Sequence, residues 1–462
     1  MRRVRLKRGV CSHFRPPRGR PDERPGAGRV MRPAEKFITA IRFWEMEPIP
    51  LAKIRRVLFS EYGLLIAVIL ELVMIDLGSG ITTPVLPLYA GSLGAGIGLT
   101  GSIVGVIGVS RTLVDLPAGY LATRVNRRLL LGFSPLLVAV AAAMAATAPG
   151  YWLLIPARLL EGAGIAMVNT IAMIALADSV AGKDNRGRVM SLYQAARRGG
   201  NGLGPLLGGL LADFLGYRAV YLVYAGLAGA SFIWALLGIP RSYGARQQDA
   251  STGPRRADGE TKRFLRHPGF IAVCLVAFAF FFGRIASRRF IIPVLGQRVL
   301  GLSASAIGLA LTLATVSNLL TLYWLGNLTD RIDSRPVVIA SGVLSAAALV
   351  GYAVSNNFTT FVLASLFWGF CSGFGGPARN VYLMDISPKH LYPLLLGVYR
   401  TVADIGFVLG PFLLGLVSQA AGLGWALYVA AGLFLAVTAA FAAGASGGKD
   451  TRSRESSGSP PR

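Results

Sequence analysis

Five ionisable side chains lie inside stretches that are otherwise apolar: Asp76, Arg158, Glu161, Arg284 and Arg379. A charge at the centre of a membrane helix costs about 2.5–3.5 kcal/mol by insertion scales, so such residues read by default as handling a substrate or an ion. Two chemistries fit them. Carboxylates in an apolar wall, Asp76 and Glu161, suit uptake and release of a proton, whereas Arg158, Arg284 and Arg379 suit an organic anion. Arg158 and Glu161 also stand one helical turn apart, so a third reading pairs them internally as structural glue. Glu71, nearer the end of its apolar run, reads as a snorkelling side chain. Arg288 and Arg289, near the end of theirs, read as headgroup contacts.

Other chemistries are closed off by residue usage. Cys11, Cys274 and Cys371 have no paired spacing, so neither a disulfide framework nor a CxxC metal site is supported. His13, His267 and His390 fall in tails or turns. No Walker A sequence and no Rossmann glycine fingerprint is present, so neither ATP nor another nucleotide cofactor is expected. No convergent nucleophile and base marks an enzyme. Work, if done, is driven by an ion gradient.

The elements that must position these charges are membrane helices. The chain is 53% hydrophobic and 15% charged, with mean hydropathy +0.55. Apolar runs of about 20 residues, enough to span a bilayer, recur twelve times: 63–89, 98–121, 129–148, 152–177, 189–212, 218–239, 269–294, 304–325, 336–354, 360–385, 391–416 and 423–444. They lack strand-like alternation, and in lipid the backbone must satisfy itself within helices. The expected fold class is an all-α membrane protein.

The chain is also written twice. Gly119-x-Leu121-x-Thr123-Arg124-x-x-x-Arg128 returns as Gly326-x-Leu328-x-Asp330-Arg331-x-x-x-Arg335, Gly162 as Gly369, Asp178 as Asp385, and Gly204-Pro205 as Gly410-Pro411. A period this long is a duplicated bundle rather than a solenoid, as in secondary transporters, whose site lies between repeats.

The net charge of +25 is placed by membrane side and not as a nucleic-acid patch. Residues 1–62 hold 16 Lys/Arg against 6 Asp/Glu, and the connection 240–268 and the turns at 122–128 and 179–188 are basic, whereas alternate turns near 90–97, 149–151 and 355–359 carry no charge. That alternation is the positive-inside pattern, placing both termini and 240–268 in the cytoplasm. The division expected is a basic N-terminal segment 1–62, disordered over 1–35, a six-helix bundle 63–239, a cytoplasmic linker 240–268, a second bundle 269–444 and a disordered tail 445–462.

Taken in order, the motifs resemble the major facilitator superfamily. The turn after the second span is similar to its G-x-L-x-D-R-x-G-R-R pattern through Gly119, Leu121, Arg124, Arg127 and Arg128, with Asp115 and Pro117 upstream. Arg158-x-x-Glu161-Gly162-x-Gly164 resembles the family's R-x-x-Q-G-x-G. Gly200-x-x-x-Gly204-Pro205-x-x-Gly208-Gly209 resembles the signature of its proton-coupled drug antiporter branch. The resemblance implies two pseudo-symmetric six-helix bundles and a central cavity lined by the spans holding Asp76, Arg158, Glu161, Arg284 and Arg379. It also implies a charge lock in the basic turns, with Thr123 standing where the first copy should have Asp and Asn126 where it should have Gly, while the second copy keeps Asp330 and Arg331 but has Asp333 at the glycine position. By the family's helix adjacency, Arg111 and Asp115 of the second span would face Asp404 and Arg400 of the eleventh as a two-rung charge ladder, the alternative being two internal pairs four residues apart.

The resulting reading is a monomeric, multi-pass plasma-membrane transporter that moves a small-molecule substrate by alternating access. Its partners would be that substrate, protons and the lipid bilayer, with no nucleic acid and no metal. Proton-coupled efflux of a hydrophobic or amphipathic compound is the expected activity. Transport of an organic anion, or a non-transporting membrane sensor on the same scaffold, are the alternatives.

Overall fold

The structure, a computed structural model, describes residues 63–179, 186–239, 243, 259–329, 333–388 and 391–444. The tails and most of the connection between the halves lie outside the described residues, as do Asp330, Arg331 and the side chain of Thr123. Among the described residues there is no strand. The first half folds as α1 (Gly63–Ser92), α2 (Ile97–Arg124), α3 (Arg127–Ala146), α4 (Leu154–Ser179), α5 (Arg186–Leu215) and α6 (Tyr217–Gly238). The second follows as α7 (Pro268–Arg298), α8 (Ala304–Thr329), α9 (Ser334–Ala353), α10 (Phe358–Ile386), α11 (Tyr392–Ala421) and α12 (Leu423–Gly444).

Eleven of these helices are long and apolar enough to cross a membrane. The remaining one, α5, is 30 residues long but carries Gln194, Arg197, Arg198, Asn201 and Asp213 along its length. Arg197, Asn201 and Asp213 find partners inside the protein, whereas Gln194 and Arg198 are exposed, so part of the polar load of this helix of low hydropathy is met by its neighbours. A π-turn at Ser287–Ile291 interrupts α7.

The written repeat is also a repeat of backbone and packing. Left-handed glycines close equivalent turns in the two halves: Gly94 (φ 89°) and Gly301 (φ 63°) after the first helix of each, Gly216 (φ 82°) and Gly422 (φ 99°) after the fifth. A side chain is strained in this region, so glycine is the residue of choice at all four. Within the first half α1 packs on α5, α2 on α4 and α3 on α6; within the second, α7 packs on α11, α8 on α10 and α9 on α12. The main contacts across the halves are α2 with α11 and α5 with α8. Exchanging the halves maps each of these pairs onto another.

The two ends of the molecule are packed differently. At the distal end, where α1 turns into α2, one continuous apolar core takes residues from both halves, among them Leu86, Ile103, Phe290, Ile307, Tyr352 and Leu414. At the basic end, where α2 turns into α3, the core is split. One cluster holds only first-half residues such as Leu72, Leu131 and Leu176, and another only second-half residues such as Val273, Val337 and Phe441.

Close backbone approach explains the distal seal. A Cβ added at Gly101 of α2 would collide with the carbonyl of Pro411 in α11, and one at Gly308 of α8 with the carbonyl of Pro205 in α5. These are the same contact made twice by the two halves. The seal is also hydrogen-bonded. The Asp213 carboxylate at the end of α5 accepts from the backbone N–H groups of Ala304 (3.1 Å) and Ser305 (2.8 Å) at the start of α8. The Leu206 N–H donates to the Thr312 hydroxyl (3.1 Å), and Gln297 to the Tyr217 hydroxyl (3.0 Å). Close glycine contacts between the halves stop toward the basic end at Gly108 against Phe407 and Gly202 against Thr315.

Candidate functional site

Asp76, mid-way along α1, is buried and already partnered. Its carboxylate accepts from Arg197 Nε (3.0 Å) and Asn201 Nδ2 (2.8 Å), both on α5. Arg197 in turn donates to the Tyr193 hydroxyl (3.2 Å) and lies over that ring. The sequence reading of Asp76 as a carboxylate in an apolar wall missed these partners, which stand 121 and 125 residues away in the chain. The signal available was that α5 spaces Tyr193, Arg197 and Asn201 four residues apart, on one face.

Arg158 and Glu161 form the internal pair that their spacing allows. Both are buried, Arg158 Nη1 lies 2.5 Å from Glu161 Oε2, and the Tyr224 hydroxyl of α6 donates to the other carboxylate oxygen at 3.3 Å. Arg158 Nε is buried with no hydrogen-bond partner. Glu71 does not snorkel. It is 0% exposed, and neither carboxylate oxygen has a partner, because α1 turns it into the first-half core beside Leu72 and Val68 rather than toward an end.

The arginines of the second half face inward. Arg284 and Arg379 both lie over the ring of Phe280, at 5.5 and 3.7 Å, and Tyr399 of α11 is a polar neighbour of Arg379. Arg288 and Arg289 are not headgroup contacts. Arg288 donates to the Thr315 hydroxyl of α8 at 2.8 Å, and the charges acting on Arg289 are Arg158, Arg111, Glu161 and Arg284. The π-turn accounts for the difference, since its extra residue rotates consecutive side chains away from the register of a regular helix. Counting residues along an ideal helix could not have found it.

The residues expected to gate are spread along the seams. Gly204 seats α5 directly on Gly80 of α1, and Gly410 seats α11 on Phe282 of α7, so the glycine-proline element packs helices within each half. Its Pro205 carbonyl meets α8 across the seam. Arg111 lies over the Phe407 ring at 5.4 Å. Asp404 has Arg111, Asp115 and Arg400 as its charged neighbours, yet no ion pair links the four in this conformation among the described residues. At the basic end Arg124 covers the Tyr120 ring, Arg128 donates to the Leu236 carbonyl of α6 (2.7 Å), and a Cβ added at Gly119 would meet open space. Arg127 pairs with Asp178 at 2.6 Å, a bond to which Tyr243 adds its hydroxyl (3.1 Å). Asp178 was legible only as a repeated residue.

Two bundles related by exchange, joined through one core at one end and separately cored at the other, with charged side chains between, match a known pattern in sequence as well. The sequence model of the Major Facilitator Superfamily matches residues 68–287 and again 281–461. The chain belongs to the major facilitator superfamily. It is therefore a multi-pass membrane transporter and not an enzyme. Among relatives of the superfamily, a multi-drug resistance efflux pump PmrA homolog of Lactococcus lactis is 24% identical over 71% of this chain and 81% of its own length. The multidrug resistance protein MdtG of a Rahnella species is 26% identical over 75% and 85%. The crystal structure of the nucleoside transporter NupG shares the fold, with TM-score 0.69 at 15% identity, over 82% of this chain and 98% of that one.

Proposed function

We propose that this transporter exports a hydrophobic or amphipathic small molecule by alternating access, in exchange for protons. The observation that carries the reading is the asymmetry of its packing: one shared apolar core and a hydrogen-bonded seam at the distal end, and two separate cores at the basic end. Two bundles joined at one end and separately cored at the other are what one half of an alternating-access cycle requires. The positive-inside pattern of the loop charges favours a cytoplasmic basic end, with both termini and the 240–268 connection on that side, and on that reading the conformation is inward-facing, with bundles 63–239 and 269–444 moving about their seams. The multidrug names of two relatives favour export across the plasma membrane. Asp76 is the favoured proton carrier, because protonating it would release Arg197 and Asn201 and so loosen α1 from α5. Glu161, which holds Arg158, is the second.

The test is transport by inverted membrane vesicles loaded with a pH-sensitive dye. Addition of a cargo should dissipate an imposed proton gradient and accumulate the cargo inside. Accumulation that is indifferent to a protonophore would overturn proton exchange, and no flux for any cargo under any gradient would leave the sensor reading in its place.

A further inference from the structure

Charges between the bundles do not balance. Asp76 is taken by Arg197 and Glu161 by Arg158. Arg198, Arg284, Arg288, Arg289 and Arg379 remain, and none has a carboxylate within ion-pair distance among the described residues. The charged groups acting on Arg284 are Arg288, Arg379 and Arg198, every one cationic. Around Arg289, three of the four are arginines, and the fourth is the already paired Glu161. The cluster draws on both bundles, with α5 contributing Arg198, α7 three guanidinium groups and α10 Arg379.

Arg379 is buried and Arg284, Arg288 and Arg289 are half-buried, while Arg198 is exposed at the edge of the cluster. Like charges partly withdrawn from water repel one another and lose hydration, so a cluster of this kind is retained where a counter-charge arrives from outside. Arginine cannot shed its proton to relieve the repulsion, and its planar fork matches the two oxygens of a carboxylate or phosphate. Phe280, beneath both Arg284 and Arg379, orients their guanidinium planes and is itself buried in the core. The half-buried Phe278 and Phe281 supply the apolar wall on α7, Phe281 packing against residues of both halves.

We propose that the region between the bundles binds a small organic dianion, with carboxylate or phosphate oxygens on Arg284, Arg288, Arg289 and Arg379 and an apolar body against Phe281. Its being carried rests on the transport reading above; its being bound does not.

The full chain in phosphatidylcholine nanodiscs, which supply no anionic lipid, is titrated calorimetrically with three probes: naphthalene-2,6-dicarboxylate, its neutral dimethyl ester, and ethidium. The dianion should bind at least about tenfold tighter than either of the others, and Arg284→Gln and Arg379→Gln should each weaken it by about tenfold or more. Lysine at either position should recover only part of the loss, because it keeps the charge and lacks the fork. Thermal unfolding of each ligand-free glutamine variant should show a midpoint equal to or above the parent's, separating lost binding from lost fold. Ester or ethidium binding as tightly as the dianion would overturn the proposal, as would dianion affinity untouched by both glutamine variants, or no binding of the dianion at all. The same probes in proteoliposomes separate the two readings. Arginine-dependent dianion binding without flux under any gradient leaves the site and removes transport; flux of ethidium without preference for the dianion removes the site and leaves transport.

Discussion

Asp76 holds two helices together as well as carrying a charge, and the two roles separate by substitution. Asp76→Asn keeps the size and one acceptor oxygen but strands Arg197. Stranding a partner of a buried pair costs about 3–5 kcal/mol, and the loss here should lie at the low end because the Arg197 side chain keeps 31% exposure. Adding Arg197→Gln should restore stability, since both charges are then gone, without restoring coupling. If the double variant recovers both its unfolding midpoint and gradient-driven transport, Asp76 is structural only. Glu71 makes the opposite case. Neither oxygen has a partner to lose, so Glu71→Gln should change stability by less than about 1 kcal/mol. A larger fall in a denaturation series would show that the carboxyl makes a bond in a conformation other than this one.

Between elements, the distal seam depends on one helix capping another. Asp213 stands one residue beyond the apolar run of α5 and caps the start of α8 from a different bundle, placing a negative charge at the positive end of that helix. Partial burial raises the affinity of its carboxyl for a proton. Hydrogen bonds from the Ser305 hydroxyl, the backbone N–H groups of Ser305 and Ala304, and Ser303 outweigh burial and leave its pKa below the ordinary aspartate value. A depressed pKa means that the stabilisation is present above the ordinary value and is lost only as pH falls through the lowered one. The seam should thus be insensitive to pH across the neutral and mildly acidic range. Asp213→Ala should weaken it by about 1 kcal/mol, the usual worth of a capping side chain, read as increased labelling of a cysteine placed in the distal half of the cavity. Labelling that is unchanged, or that rises steeply between neutral and mildly acid pH in the parent, would contradict this. At the other seam Arg111, Asp115, Arg400 and Asp404 are neighbours without an ion pair. We propose that the ladder forms in the opposite conformation, so Arg111→Asp and Asp404→Arg should each impair transport and the pair should recover part of it. A double variant no better than the worse single one would remove the ladder. Of the four helices that make these seams, α5 is the one of low hydropathy, and the other three, α2, α8 and α11, were legible because lipid demands long apolar runs. Their partners were not, because Asp213 meets α8 and Asp76 meets α5 through tertiary packing that no local spacing encodes. The π-turn in α7 was hidden for a related reason, since its apolar sequence satisfies a regular helix equally well.

For the whole molecule, duplication makes a stronger demand than resemblance between halves. If one conformation closes the distal end through α2 with α11 and α5 with α8, the two seams are the same joint used twice, and each should fail alone. Gly101 and Gly308 occupy matching places in that joint, each facing the carbonyl of the proline in the glycine-proline element of the other half, Pro411 for one and Pro205 for the other. A leucine at either position cannot be accommodated against backbone, whereas both glycines lie in helices whose φ and ψ suit any residue. Gly101→Leu and Gly308→Leu should therefore fold and insert normally but fail to close the distal end, holding the transporter open on that side. Distal cysteine labelling should rise several-fold in both variants, and cargo transport should stop while binding from the distal side persists. The two variants should be alike in size of effect. If one arrests transport and the other is silent, the seams are not equivalent and a hinge at a single helix pair replaces the symmetric rocking of two bundles.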